Sequence, residues 1–415
     1  MRVSAYALLG NQVLSAALGV VYWILAARLY GVVIVGASSA AVSALLLIAG
    51  VADLGLSAGM VRFLPRAGDR TRRIIVLAYA TSIVAAAVLS LVFVVFGGRL
   101  NFGGVLGFGA LTALWVILAA VLRTLFRLQD AVLTGLKQAK WVLIENAIYN
   151  AAKIVILVAG VSYLGRAGIV GSWFIPLPLV VALCAWLIFG LYTRARPLSP
   201  APTDSAALSL REIATSSGGD YVGSLVAEAA SRLLPLVVIV VLGAAANAYF
   251  YQAWLVAATL GLLAGSMTDS FTAEAAGDRA HVGRYSRDIL RQMAALILPA
   301  AAVIGVGAPL ILTLFGTSYA AEGSALLRWL CLSTPLIVFN TWYLAYARVM
   351  SRIRQVVWLQ SIGAFVLLAV GYVLLRPLGI TGIGLAWVVS QVPITVIGLL
   401  NSRDVLALKP EASAL

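Results

Sequence analysis

Apolar stretches follow one another almost without interruption along the 415 residues, separated by short segments that carry most of the charge. Each approaches the ~20 residues that a helix needs to cross a ~30 Å hydrocarbon core. In order they predict twelve membrane-spanning helices, at 5–29, 32–52, 74–97, 104–125, 141–163, 168–192, 213–242, 247–270, 289–315, 322–347, 355–375 and 380–401. Gly and Pro interrupt several of them, which membrane helices tolerate where neighbours satisfy the freed backbone groups. Residues 193–212 (TRARPLSPAPTDSAALSLRE) form the longest Pro/Ser-rich polar stretch and read as a cytoplasmic linker. They separate a six-helix lobe over 1–192 from a second over 213–402, followed by a polar tail at 403–415. The chain starts Met1-Arg2 and enters its first apolar run without a small-residue cleavage site, so that run reads as a retained span.

Basic residues orient this bundle. With both termini cytoplasmic, the inner segments hold 22 of the 29 Lys and Arg residues and the outer segments hold four, Arg28, Arg99, Arg166 and Arg376. That is the positive-inside pattern, and it requires an even number of spans.

The two lobes also resemble each other. LGRAGIVGSW at 164–173 matches LGITGIGLAW at 378–387 at a constant shift of 214 residues, which relates Leu164, Gly165, Gly168, Ile169 and Trp173 to Leu378, Gly379, Gly382, Ile383 and Trp387. Lys140 and Arg354, before the fifth and eleventh spans, keep the same shift, and Tyr30-Gly31 aligns with Leu242-Gly243 at 212. Six spans per lobe give both lobes one orientation, so the fold expected is an all-α polytopic bundle of two parallel six-helix repeats with a central cavity.

Composition agrees. The chain is 62% hydrophobic and 11% charged, with a mean hydropathy of +1.03, where soluble domains carry roughly 25% charged residues. The net charge of +14 is scattered between apolar runs, a membrane-orientation pattern rather than a nucleic-acid surface. Cys184 and Cys331 lie inside apolar spans and His281 is the sole histidine, so neither a disulfide framework nor a metal site is expected. No phosphate loop, HExxH or GxSxG occurs, and no acidic cluster suited to glycosyl transfer. A transporter without a cofactor is expected, rather than an enzyme.

Ionisable groups inside spans carry the functional information, because each costs about 2.5–3.5 kcal/mol at the bilayer centre on insertion scales. The fifth span holds Glu145, Asn146, Asn150 and Lys153. The last three are spaced i, i+4, i+7 on one helical face. Lys153 lies about 20 Å beyond Lys140 by helical rise, past the midplane. The seventh span holds Asp220, Ser224, Glu228 and Arg232 at four-residue steps, and Glu228–Arg232 is an i, i+4 pair in the favourable order. The tenth span adds Arg328. Lys153, Arg232 and Arg328, with Asn146 and Asn150, form a candidate cationic chamber for a phosphate or pyrophosphate. Glu145, Asp220 and Glu228 are candidate H+ or Na+ coupling sites. The plainer alternatives are a structural Glu228–Arg232 pair and an Arg328 that reaches the outer interface. At 214 residues from Lys153 the second repeat has Leu367; this asymmetry marks the fifth span as a functional candidate. The run RFLPRAGDRTRR at 62–73 contacts anionic headgroups on the plain reading; alternatively Arg62 and Arg66 recruit an anionic lipid-linked substrate.

The stretch 24–67 resembles the opening of O-antigen-type polysaccharide flippases of the multidrug/oligosaccharidyl-lipid/polysaccharide exporter superfamily. The resemblance rests on Arg28-Leu29-Tyr30-Gly31, Gly36, and Asp53-Leu54-Gly55-Leu56 followed by Arg62 and Pro65. KWVLIENAIYN at 140–150 also looks like the start of the fifth helix in those proteins. The resemblance implies a monomeric flippase moving a polyprenyl-diphosphate-linked oligosaccharide from the cytoplasmic to the outer leaflet of a bacterial plasma membrane by alternating access of two lobes. It also implies membrane lipids, a polysaccharide polymerase and glycosyltransferases as partners. The loop Phe271-Thr272-Ala273-Glu274 departs from its first-lobe counterpart Gly59-Met60-Val61-Arg62, which argues against symmetric substrate contact there. Two other readings compete: a cation-coupled multidrug exporter of the same superfamily, which should favour acidic cavity residues, and a membrane glycosyltransferase or ligase for lipid-linked sugars, which needs larger outer loops than these.

Overall fold

The computed structural model describes residues 2–99, 110–192, 210–277 and 282–402. Throughout these the chain is helical, with no strand. It divides into two compact units, Met1–Ala248 and Tyr249–Leu415.

In the first unit α1 (Arg2–Leu29) and α2 (Val32–Ala52) are followed by the short α3 (Leu56–Phe63). Next come α4 (Thr71–Arg99), α5 (Ala110–Gly135) and α6 (Ala139–Tyr163). The sixth expected span is broken into α7 (Gly168–Phe174) and α8 (Leu177–Trp186), the latter ending in a widened turn over Leu187–Tyr192. Pro176 lies at the break, where it removes a backbone donor. α9 (Leu210–Leu242) and the start of α10 (Ala244–Gly277) complete the unit. Leu45, Phe126, Tyr149, Phe174, Leu177 and Cys184 form one core, and Met60, Leu64, Ile75, Leu128 and Leu133 a second. Helices approach closely where side chains are absent: a Cβ on Gly135 of α5 would stand 2.6 Å from the Met60 carbonyl of α3.

The second unit holds the rest of α10, then α11 (Val282–Val306), α12 (Ala308–Thr313), α13 (Thr317–Leu332), α14 (Thr334–Val349), α15 (Ile353–Leu378) and α16 (Thr381–Asn401). The span expected over 322–347 is in fact two helices, α13 and α14, bent by 46°. Pro335 in the first turn of α14 cannot continue the ladder of α13, and the Ser333 hydroxyl donates to the Leu330 carbonyl at the bend (2.6 Å). Among the described residues nine helices are long and apolar enough to cross a membrane, ten when α13 and α14 count as one span. α1 and α5, of 28 and 26 residues, bring the total to the twelve expected. Apolar side chains such as Val84, Val155, Leu179, Val303 and Phe365 stand exposed, as lipid-facing positions do. The chain is a multi-pass membrane protein.

The internal repeat extends to backbone geometry. Lys137 and Ser351, 214 residues apart, both adopt left-handed φ, at 62° and 60°. Around Lys137 the Leu136 amide donates to Val132, Lys137 to Thr134, Gln138 to Leu133 and Trp141 to Gln138. Around Ser351 the Met350 amide donates to Tyr346, Ser351 to Arg348, Arg352 to Ala347 and Gln355 to Arg352. Every partner is displaced by 214. Gly165 and Gly379 repeat likewise, with φ of 51° and 59° that only glycine adopts without steric cost.

Candidate functional site

The span expected at 104–125 continues to Gly135 as α5, and this correction changes the status of three charged residues. Arg123 and Arg127 were counted among the inner-side basic residues; they and Asp130 lie inside α5, with Arg127 about 12 Å from its last residue by helical rise. No Pro or Gly interrupts the sequence between residues 110 and 135, and the leucines on the opposite face keep the helix going. Their spacing, i, i+4, i+7, equals that of Asn146, Asn150 and Lys153 on α6. The two stripes meet where the Asn146 amide donates to Asp130 Oδ1 (3.0 Å).

On one side of this meeting point lies an ionic cluster. Arg127 Nη1 donates to both Glu228 oxygens (3.2 and 3.4 Å) and Nη2 to Oε2 (3.4 Å), a two-nitrogen clasp between α5 and α9. Arg232, one turn along α9, brings its Nε within 3.9 Å of the same carboxylate. These side chains are 37%, 30% and 36% exposed. Arg123 lies within electrostatic reach of Arg127 and Arg232, its guanidinium 5.2 Å from the Phe126 ring centre. Gly50 on α2 sits beneath: a methyl there would be 3.7 Å from both Arg127 and Glu228. Charged groups that are partly open within spans face protein-lined water rather than lipid.

Asp53 closes the cluster at the end of α2. Its carboxylate accepts the Ser57 amide (3.3 Å) and the Ser57 hydroxyl, holding the first turn of α3. Burial raises its pKa above the usual carboxylate range, against the Ser57 hydrogen bond and the Arg127 charge. Leu54 and Gly55 follow with φ of 51° and 78°, so the Asp53-Leu54-Gly55-Leu56 motif is a tight left-handed corner that starts α3 beside the ionic cluster.

On the other side lies a buried polar chain. Glu145, 2% exposed, stands beside Asp130, and its Oε2 meets the Cys184 thiol. The Asn150 amide donates to the Asn146 carbonyl (2.8 Å), and Lys153 Nζ donates to Asn150 Oδ1 (3.0 Å). Lys153 is 3% exposed and sits among three rings, 4.4 Å from Trp173, 4.6 Å from Tyr22 and 5.5 Å from Tyr149. It remains within electrostatic reach of Arg123. The counterpart Leu367 is also buried, at 2%, so the second unit fills the equivalent position with hydrocarbon.

Of the residues singled out in the sequence, the structure brings Arg232 and Glu228 together and joins Asn146, Asn150 and Lys153 in one chain. Lys153 points into the rings of its own unit, whereas Arg328 stands exposed on α13 of the second unit. Arg62 is exposed on α3. The side chains of Arg66 and Asp220 lie outside the described residues. The sequence reading counted Arg123 and Arg127 only as inner-side charges and Asp53 only as part of the corner motif, and it did not single out Asp130. The signal for the α5 residues was their spacing, hidden by an early span boundary.

A search of protein-family models and of curated protein sequences finds no match. Solved structures do match in fold. A multidrug resistance MATE family transporter of the MOP superfamily, in an inward-facing conformation, aligns over 99% of this chain and 100% of its own, with 17% identity and a TM-score of 0.73. The lipid II flippase MurJ, inward closed, aligns over 97% and 88% with 14% identity and a TM-score of 0.75. A MOP superfamily transporter from Pyrococcus furiosus, described by the reverse polarity of its binding pocket, aligns over 98% and 97% with 16% identity and a TM-score of 0.62. The chain has the two-lobed helical fold that these exporters and this flippase share.

Proposed function

We propose that this protein is a flippase that moves a polyprenyl-diphosphate-linked oligosaccharide from the cytoplasmic to the outer leaflet of a bacterial plasma membrane, for cell-surface polysaccharide synthesis. The supporting observation is the Arg127–Glu228–Arg232 cluster, two guanidiniums around one carboxylate, partly open within spans. Guanidiniums bind carboxylate and phosphate with the same fork geometry. Glu228 therefore holds the guanidiniums as a phosphate oxygen pair would. An incoming pyrophosphate, with more negative charge and more acceptors, displaces it from Arg127 and Arg232, and Arg123 adds a third positive charge. Release reverses the exchange, so that neither charge is left bare within the membrane.

Arg62 and Arg66 recruit the phosphate-headed lipid at the cytoplasmic mouth, and in the second lobe Arg328 is the candidate phosphate contact. Asn146, Asn150 and Lys153 set the polar lining behind the cluster. The lobes at 1–192 and 213–402, joined by 193–212, alternate access with both termini cytoplasmic. The protein works as a monomer, with glycosyltransferases supplying its cargo and a polymerase consuming it. The fold of a lipid II flippase supports a lipid-linked cargo.

A second reading, a cation-coupled multidrug exporter, draws support from the MATE fold and from the adjacent carboxyls of Asp130 and Glu145. Such neighbours repel within a span unless a proton or Na+ lies between them. Both readings allow this pair, with Glu228 and Asp220, to couple transport to a cation. One experiment separates them. In cells lacking the gene, lipid-linked saccharide should accumulate in the inner leaflet, and drug sensitivity should stay the same. An unchanged leaflet distribution with increased sensitivity to organic cations would transfer the assignment to the exporter.

A further inference from the structure

Between α2, α4, α5 and α7 the first unit forms a half-open groove of about 890 Å³. It begins at Gly31 and Arg166, in the turns before α2 and α7, and reaches Leu45 and Phe93. From Gly31 to Leu45 is about 20 Å by helical rise, against roughly 20 Å for one leaflet with its headgroup region. Its walls are almost wholly apolar, with Trp115 on α5 near the open end; Arg166, exposed, is the one charged residue among the described lining.

Apolar walls hold water poorly, so a half-open groove of this size within the membrane is filled by hydrocarbon. The volume lies within the range of ~300–1,000 Å³ typical of ligand pockets. The depth matches one leaflet, the lining matches hydrocarbon, and the single charge sits at the mouth, where a membrane lipid carries its phosphate.

We propose that this groove holds one hydrocarbon chain of a phosphate-headed membrane lipid, with the phosphate paired to Arg166. The site is separate from the Arg127–Glu228–Arg232 cluster and holds whatever the transported cargo is. Its occupant lies against α2 and α5, helices that each carry part of the ionic cluster.

The test uses the full-length protein in nanodiscs containing phosphatidylglycerol with a photoreactive diazirine midway along one acyl chain. Irradiation should label peptides from α2, α5 and α7. Ala37→Trp, which fills the groove from α2, should lower that labelling about tenfold, the scale of steric overpacking. Ala37→Phe, a smaller obstruction, should lower it less and covers the case in which the Trp variant does not fold. Arg166→Gln should reduce labelling by the phospholipid but not by a diazirine diacylglycerol that has no phosphate. Competition with undecaprenyl phosphate distinguishes two sources of the same chemistry: displacement assigns the site to the polyprenyl carrier, and no displacement assigns it to bulk phospholipid. Labelling at these peptides no stronger than at the outward-facing positions Val84 and Leu179, or unchanged by Ala37→Phe in folded protein, overturns the proposal.

Discussion

Arg127 and Glu228 join α5 to α9 through two guanidinium nitrogens at 3.2–3.4 Å. Hydrogen bonds to charged groups contribute about 1.5–3 kcal/mol, so Arg127→Gln should weaken phosphate-dependent binding about tenfold or more. Binding of a polyprenyl diphosphate to the purified variant measures this. An affinity equal to that of the wild type would remove Arg127 from the substrate path.

Glu228→Gln tests the exchange of carboxylate for phosphate. Removing the internal competitor should tighten pyrophosphate binding while slowing transport, because release loses its replacement anion. The two readouts must move in opposite directions. Weaker binding together with slower transport would mean that Glu228 merely positions Arg127.

Lys153→Leu copies the residue of the second repeat. The change exchanges a buried ammonium and its three ring contacts for hydrocarbon, and buried charges are often replaced without loss of stability. The variant should fold with wild-type thermal stability and lose transport. Full transport would leave Lys153 with a packing role only.

Gly36 sets the approach of α2 to the start of α10, where an added Cβ would stand 1.7 Å from the Ala244 carbonyl. The Asn247 amide donates to the Gly36 carbonyl at 2.7 Å and to the Ser39 hydroxyl at 3.1 Å. Gly36→Val should therefore lower folded yield, with loss on the order of 1–3 kcal/mol or more from overpacking. Gly31→Ala, in open space with φ of −64°, is the control and should be silent.

The paired left-handed residues give a stabilising prediction. A non-glycine residue in this conformation costs roughly 1–2 kcal/mol, so Lys137→Gly and Ser351→Gly should each raise the unfolding midpoint. The two turns belong to different units and share no hydrogen-bond partner, so their effects should add. Thermal melts in detergent provide the readout, and a drop in either variant would show that the side chain itself holds the turn.

Much of the scaffold was legible in the sequence. Apolar runs of spanning length located the helices, and the 214-residue shift located a repeat that recurs in hydrogen bonding at Lys137 and Ser351. The bend at Ser333 was missed because Thr334 and Pro335 lie in an unbroken apolar run, and hydropathy does not register a lost backbone donor. The site was legible in part. Glu228 with Arg232, and Asn150 with Lys153, are local pairs that helical periodicity exposes. Arg127 with Glu228 is a contact across 101 positions, and nothing in either helix alone announces the other. The rings around Lys153 come from α1, α6 and α7, so its enclosure was likewise invisible until the helices packed.

That enclosure bears on what the first lobe refuses. Tyr22, Tyr149 and Trp173 compose the kind of ring box that recognises organic ammonium compounds, and the chain supplies its own occupant. A receptor filled by a tethered ligand is closed to free ones, since any external cation competes against a group whose local concentration never falls. With Lys153 in place the rings offer no vacant box to a cationic guest, and on the proposed function the guanidiniums nearby are left for anions.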